Sequence, residues 1–222
     1  MRKRKLPVHI MHDDGVNENQ MNAVKEGVME LLQIARVASA MEVYDFGVWR
    51  DPNWKIGGEL MPYGSIDWYL RQGRIAGRDQ LHAADILGAI QREPWQDVTP
   101  HYDVMVTSKD LLLTGTNFVL GAARPGLGTV LSVVRWGGFS AEDQFELIKT
   151  ETEHEFGHVL RLPNGNRADL NQDLGRHCCN KCVMQQGMTV PHDWIEMTND
   201  RLTSDFGALC PTCKRDLQNF FS

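Results

Sequence analysis

The sequence predicts an α/β fold: a mixed, twisted sheet with a backing helix and a long amphipathic helix, followed by a smaller C-terminal lobe that is irregular and helical. Three observations carry this. Short β-rich runs alternate with helix-spaced apolar faces up to about residue 136. A serine-led segment at Ser140 then opens a run with Phe145, Ile148, Thr152, Phe156 and Val159 at helical spacing. Beyond it, all five cysteines fall between positions 178 and 213, where they can staple the C-terminal lobe.

In chain order, Val8 to Met11 reads as a first strand, and Val24, Val28, Leu31 and Ala35 give one helix face. Met41 to Trp49 is β-rich, whereas Asp51 to Gly77 carries recurrent glycine and proline and reads as an irregular loop. Gln80 to Ile90 is helical in pattern. Asp103 to Val106 is a short buried strand, and Phe118 to Ala123 and Val130 to Trp136 are two more. The helix from Ser140 is expected to run to about Leu162, where Pro163 stops it. This gives an N-terminal α/β lobe over 1–160 that ends in the long helix, and a C-terminal lobe over 161–222.

Composition narrows the function. At 222 residues and 42% hydrophobic content the chain can bury a substantial core. Its net charge of −6 argues against a general nucleic-acid partner, and the basic run Arg2 to Lys5 reads as a solvated tail. No apolar run approaches membrane-spanning length, so no membrane partner is expected. No charged-then-apolar leader is visible, which favours a cytoplasmic protein with reduced thiols.

The most informative stretch is His154-Glu155-Phe156-Gly157-His158. On a helix, positions i and i+4 share a face, so both imidazoles can reach one ion. Glu155 then stands beside the ligands rather than among them, the arrangement of a zinc hydrolase with a glutamate base. Two histidines leave a tetrahedral zinc short of a protein ligand, and the next candidates lie downstream at His177 and the cysteines. Cys179-Asn-Lys-Cys182 and Cys210-Pro-Thr-Cys213 form two C-x-x-C knuckles, the signature of a closed four-thiolate zinc site. Cys178 is the alternate to Cys179. The remaining histidines, His9, His12, His82, His101 and His192, have no ligand-like partner at helical or turn spacing and read as structural or exposed.

At His154, Glu155, His158, His177, Cys178, Cys182, Met184, Cys210 and Cys213 the chain resembles the archaemetzincins, a family of metzincin-type zinc peptidases. Their pattern is H-E-x-x-H-x-x-G-x-x-H-C, then C-x-M, then C-x-x-C. The resemblance implies a metzincin-like fold and two zinc ions per chain. One would be catalytic, on His154, His158 and His177, with Glu155 as base. The other would be structural, on the thiolates. It also implies a Met-turn, in which Met184 floors the histidines without touching metal, and a peptide or small protein substrate laid along an edge strand, either Gly121 to Gly128 or Thr129 to Trp136.

The departures are specific. Arg161 occupies the family's glycine position, and eighteen residues separate His158 from His177 where the family has five, an insertion of about thirteen. Asp169 and Asp173 inside it are rivals for the third ligand position, and His177 is preferred because Cys178 follows it. Two other classes compete with a peptidase: a catalytically inactive zinc-binding protein, and a zinc-ribbon-like interaction module. Glu155 argues against both, since a mere scaffold has no need of a carboxylate there.

Overall fold

The structure is a computed structural model describing residues 5–51, 53, 55–56, 58–60, 63–172 and 175–222. Arg2, Lys3, Arg4 and Asp173 lie outside the described residues. Two compact units emerge. One comprises Leu6–Asn17 and Glu42–Gly137; the other comprises Glu18–Met41 and Gly138–Ser222, with Lys5. The long helix therefore groups with the C-terminal segment, a different cut from the 160/161 lobe boundary read from sequence.

The first unit is built on a five-stranded sheet of β1 (Val8–His12), β2 (Val43–Asp45), β3 (Tyr102–Thr107), β4 (Gly121–Arg124) and β5 (Gly128–Ser132), in the order β2-β1-β3-β5-β4. All neighbours run parallel except β4, which is antiparallel to β5. All six residues of β3 are buried, as befits a central parallel strand covered on both faces. Gly128 faces Asp103 so closely that a Cβ would sit 2.7 Å from its carbonyl oxygen, which fixes β5 tightly against β3. Of the two alternatives for the edge strand, β4 lies at an edge of the sheet and β5 is internal.

Against this sheet pack Ile66 and Tyr69 of one helix and Ile86 and Ile90 of another, in a core shared with Met105, Leu111 and Val130. The helix Ala83–Gln91 falls where the pattern placed it. The helix Ile66–Gln72 does not, for that stretch reads as irregular loop. Its start signal is present but short: the Ser65 hydroxyl accepts from the Trp68 N–H at 3.3 Å, without the acidic partner that completes a capping box. The β-rich Met41 to Trp49 contributes only the three residues of β2, and Val130 to Trp136 turns into a 3₁₀ segment after Ser132.

Two of the histidines read as structural meet in this unit. The rings of His9 and His101 stack at 3.9 Å with planes 20° apart, and His101 sits 3.3 Å from Asp103 and 3.5 Å from Glu93. Burial opposes charge on His101, but the Asp103 and Glu93 carboxylates outweigh it and hold the imidazole up at about 10. His101 thus sits in a buried ion network, and His9, His101 and Asp103 bring one ligand-type atom each within 4.8 Å of the others, a grouping that the spacing of these histidines in sequence does not predict.

We label the helices of the second unit α1 (Glu18–Ile34), α2 (Ala141–Val159), α3 (His192–Thr203) and α4 (Pro211–Phe221). α1 approaches α2 through Gly27, where a Cβ would meet the Lys149 carbonyl and Thr152 at 3.0 Å. Lys149 then reaches Glu30 at 2.8 Å. On another side of α2, Thr198 and Arg201 of α3 both bond Thr150 Oγ1 at 3.0 Å, and Arg201 also pairs with Glu146. The buried faces of these helices are what hold α2 in place.

α2 begins as expected. The Ser140 hydroxyl accepts from the Asp143 N–H at 3.1 Å. Its end is a correction. The helix stops at Val159 rather than about Leu162, because Arg161 takes the left-handed conformation, at φ 66°. The Arg161 N–H bonds the His158 carbonyl at 3.0 Å and the Leu162 N–H bonds the Gly157 carbonyl at 2.9 Å, the paired bonds of a Schellman stop. Arginine thus does here what the family's glycine does, at a backbone cost of about 1–2 kcal/mol that the buried Leu162 helps offset.

Candidate active site and thiolate cluster

His154 and His158 project from one face of α2, and His177 arrives from the short strand β7 (His177–Cys178), which pairs antiparallel with β6 (Leu170–Asn171). One ligand-type atom from each of the three lies within 4.8 Å of the others. Ring centroids are 4.7, 5.2 and 5.0 Å apart, and Trp194 walls His154 at 5.3 Å. The sequence candidates for this group are brought together. Asp169 is held elsewhere by Arg167 at 2.7 Å.

The tautomers of the helical pair are fixed from behind. His154 Nδ1 donates to the Val183 carbonyl at 2.6 Å and His158 Nδ1 to the Leu162 carbonyl at 2.8 Å. A carbonyl only accepts, so each Nδ1 carries the proton and each Nε2 presents a lone pair. Those two Nε2 atoms stand 3.1 Å apart. Burial, with His158 and His177 nearby, pushes His154 well below the usual histidine range, and burial with His177 nearby brings His158 down to about 4, so neither ring holds a second proton at neutral pH. His177 is lowered by burial too, and its Nδ1 is buried with no hydrogen-bond partner among the described residues. Facing lone pairs in a buried pocket repel unless a cation stands between them. The donor set, three imidazoles, suits zinc.

Glu155 follows His154 on α2 and is buried, and burial pushes its carboxyl up to about 8. A cation at the histidines would favour its ionised form. Met184 is wholly buried against Gly157, where a Cβ would lie 2.4 Å from its sulfur. Gly157→Ala is therefore expected to lose about 1–3 kcal/mol by overpacking despite alanine's better helix propensity. Denaturant unfolding measures this. The penalty should shrink when Met184→Ala is added, and equal penalties in both backgrounds would mean the contact does not matter.

The thiols form a second group, in which Cys178, Cys182, Cys210 and Cys213 converge within 4.8 Å and all four are buried. Cys179 is exposed, so the knuckle-based preference for Cys179 gives way to its alternate, Cys178. The reason is strand alternation. Successive residues of β7 point to opposite sides, sending His177 to the histidine group and Cys178 to the thiols. The Cys178 N–H is anchored on the Met184 carbonyl at 2.8 Å. Cys210 and Cys213 occupy the N-cap and first turn of α4, with Pro211 between them at a position that needs no N–H donor.

Sequence reasoning missed three supports: the Val183 and Leu162 carbonyls, which carry no side-chain signal, and Arg167. The Arg167 guanidinium lies 3.1 Å from both Cys178 Sγ and Cys213 Sγ.

No family model matches the chain. A stretch of 81 residues, 36% of the chain, is 40% identical to an archaemetzincin of Archaeoglobus fulgidus. The match spans 42% of that relative's length. In fold, the chain is similar to the crystal structure of an archaemetzincin from Methanopyrus kandleri, with a TM-score of 0.64 at 20% identity over 99% of this chain and 97% of that one. It is also similar to the Archaeoglobus fulgidus archaemetzincin complexed with malonate, at TM-score 0.58, 21% identity and coverage of 95% and 99%. A zinc-dependent peptidase from Methanocorpusculum labreanum gives 0.53 at 17% identity, covering 95% of this chain and 99% of that one. The resemblance to archaemetzincins thus holds in sequence over part of the chain and in fold over nearly all of it. No helix among the described residues is long and apolar enough to cross a membrane.

Proposed function

We propose, from this likeness to the archaemetzincins, that the chain is a zinc-dependent peptidase. The observation that carries the reading is the pair of unprotonated Nε2 atoms 3.1 Å apart, joined by His177 and flanked by Glu155. His154, His158 and His177 would hold the catalytic zinc, and Cys178, Cys182, Cys210 and Cys213 a structural one. Zinc at the histidines supplies Lewis acidity toward the scissile carbonyl and lowers the pKa of nearby water. The rest is the work of the chain. Glu155 takes a proton from the attacking water and passes it to the leaving amine. The Val183 and Leu162 carbonyls hold two imidazoles in the tautomer that leaves Nε2 free. Met184 fills the space against Gly157 and limits movement of the helix turn between the ligands.

The functional division follows these roles and falls near residue 160. Residues up to it contribute two ligands and the base; those from 161 to 222 contribute the third ligand, the methionine and the thiolates. The substrate is a peptide or small protein, and a reducing cytoplasm suits the free thiols.

The test is metal content and hydrolysis together. Protein purified without chelator is expected to carry two zinc ions per chain and to cleave an unstructured peptide, with cleavage lost on chelation. One zinc or none, or cleavage indifferent to chelator, would overturn the proposal.

A further inference from the structure

We infer that Arg167 is a positioning residue for the four-thiolate site, a guanidinium clamp that the inserted segment lays across two of the sulfurs. The inference rests on the reading of those thiols as a zinc site.

The geometry uses every donor the side chain has. Arg167 Nε and Nη2 grip Asp169 at 2.9 and 2.7 Å, and Nη1 reaches Asp216 at 2.9 Å. One N–H then remains on each terminal nitrogen. Nη2 meets Cys178 Sγ at 3.1 Å and Nη1 meets Cys213 Sγ at 3.1 Å. The two carboxylates fix the plane of the fork, and the plane determines which sulfurs receive the last two donors. The side chain is only 9% exposed, so these bonds are sheltered from competing water.

Charge gives the clamp its purpose. Four thiolates around a divalent ion leave a net charge of −2, and here all four sulfurs are buried. Buried anionic sulfur needs donors directed at it. Backbone N–H groups supply some: Asn180 to Cys178 at 3.4 Å and Cys213 to Cys210 at 3.5 Å. Arg167 is the cationic donor, and it bridges Cys178 of β7 to Cys213 of α4, sulfurs that are 35 residues apart in sequence. It also ties the insertion to the site, since Arg167 lies three residues before β6, the partner of the strand that carries His177.

A loop anchor that merely happened to touch sulfur would affect stability and nothing else. A clamp on the thiolates also changes their electronic character and the lability of their metal. The experiment uses the full chain, loaded with zinc for release kinetics and with cobalt(II) for the sulfur-to-metal charge-transfer band, which reports thiolate ligation alone. In Arg167→Gln, zinc release from the thiolates to a colorimetric chelator is expected to quicken about 10–100-fold. The cobalt band should move to lower energy, because sulfur that has lost a charged donor gives up electron density more readily.

Arg167→Lys keeps the charge and a partner for Asp216 but not the fork, so it guards against a glutamine variant that fails to fold. It should show the same shift and at least about tenfold faster release, since one ammonium cannot serve two sulfurs and two carboxylates at once. A normal cobalt band and normal release in the folded lysine variant would overturn the inference while leaving the thiolate site intact. A wild-type protein with no sulfur-to-cobalt band would overturn the thiolate reading, and the clamp with it.

Discussion

Glu155→Gln is expected to lower peptide hydrolysis by about 10²–10⁴-fold while leaving zinc at the histidines. Glutamine keeps the shape of the side chain, so the packing of α2 is preserved. It cannot accept and return a proton. Glu155 lies one residue after His154, whose Nδ1 is engaged behind the site, so losing its carboxylate removes no ligand and no support for one. Steady-state hydrolysis of a fixed peptide and zinc analysis of the same preparation are the measurements. Metal lost together with activity would make Glu155 a structural residue. Hydrolysis near the wild-type rate would put the base elsewhere.

Cys213→Ser is expected to produce the largest loss of stability, with Cys179→Ser as its silent control. Cys213 is wholly buried among the other three thiols and receives an Arg167 N–H, whereas Cys179 is exposed. Zinc binding by small structural sites contributes about 10–16 kcal/mol to folding, and a domain's total stability is only about 5–15 kcal/mol. Losing even part of the site should leave much of the chain unfolded or aggregated. Activity per folded molecule should fall far less. Denaturant unfolding, zinc count and activity normalised to folded protein check this. A Cys213→Ser chain of normal stability and no activity would place the thiols in the catalytic centre instead. A destabilised Cys179→Ser chain would contradict the assignment of Cys178.

Much of this arrangement is legible in the residues themselves. His154, Glu155 and His158 declare their relation through helical spacing alone, and Ser140 marks where that helix begins. His177 could be chosen over Asp169 because Cys178 follows it, and the structure groups it with the helical pair. What resisted reading was set by backbone geometry. Arg161 adopts a conformation its side chain disfavours, because buried Leu162 and two backbone bonds to α2 hold the turn, and no residue preference reveals that. The choice of Cys178 over Cys179 depended on where a two-residue strand starts, which spacing between cysteines does not encode. The helix Ile66–Gln72 was hidden by glycines around it, although Ile66 and Tyr69 are wholly buried and hold it to the sheet. The pairing of His9 of β1 with His101, which precedes β3, joins segments far apart in sequence, beyond the reach of any local pattern.

The backbone carbonyls behind His154 and His158 bear on how the two groups would fill. Each imidazole already holds its one proton on the far nitrogen, so an ion arriving at neutral pH has nothing to displace there. Buried thiols differ: they must shed protons before they can bind. Loading the histidines should therefore release no proton from these two imidazoles and at most the one that burial holds on Glu155, while loading the thiols should acidify the buffer more. Calorimetric heats measured in buffers of different ionisation enthalpy would resolve the two events, and the folded chain would keep a record, in protons released, of which site its metal entered first.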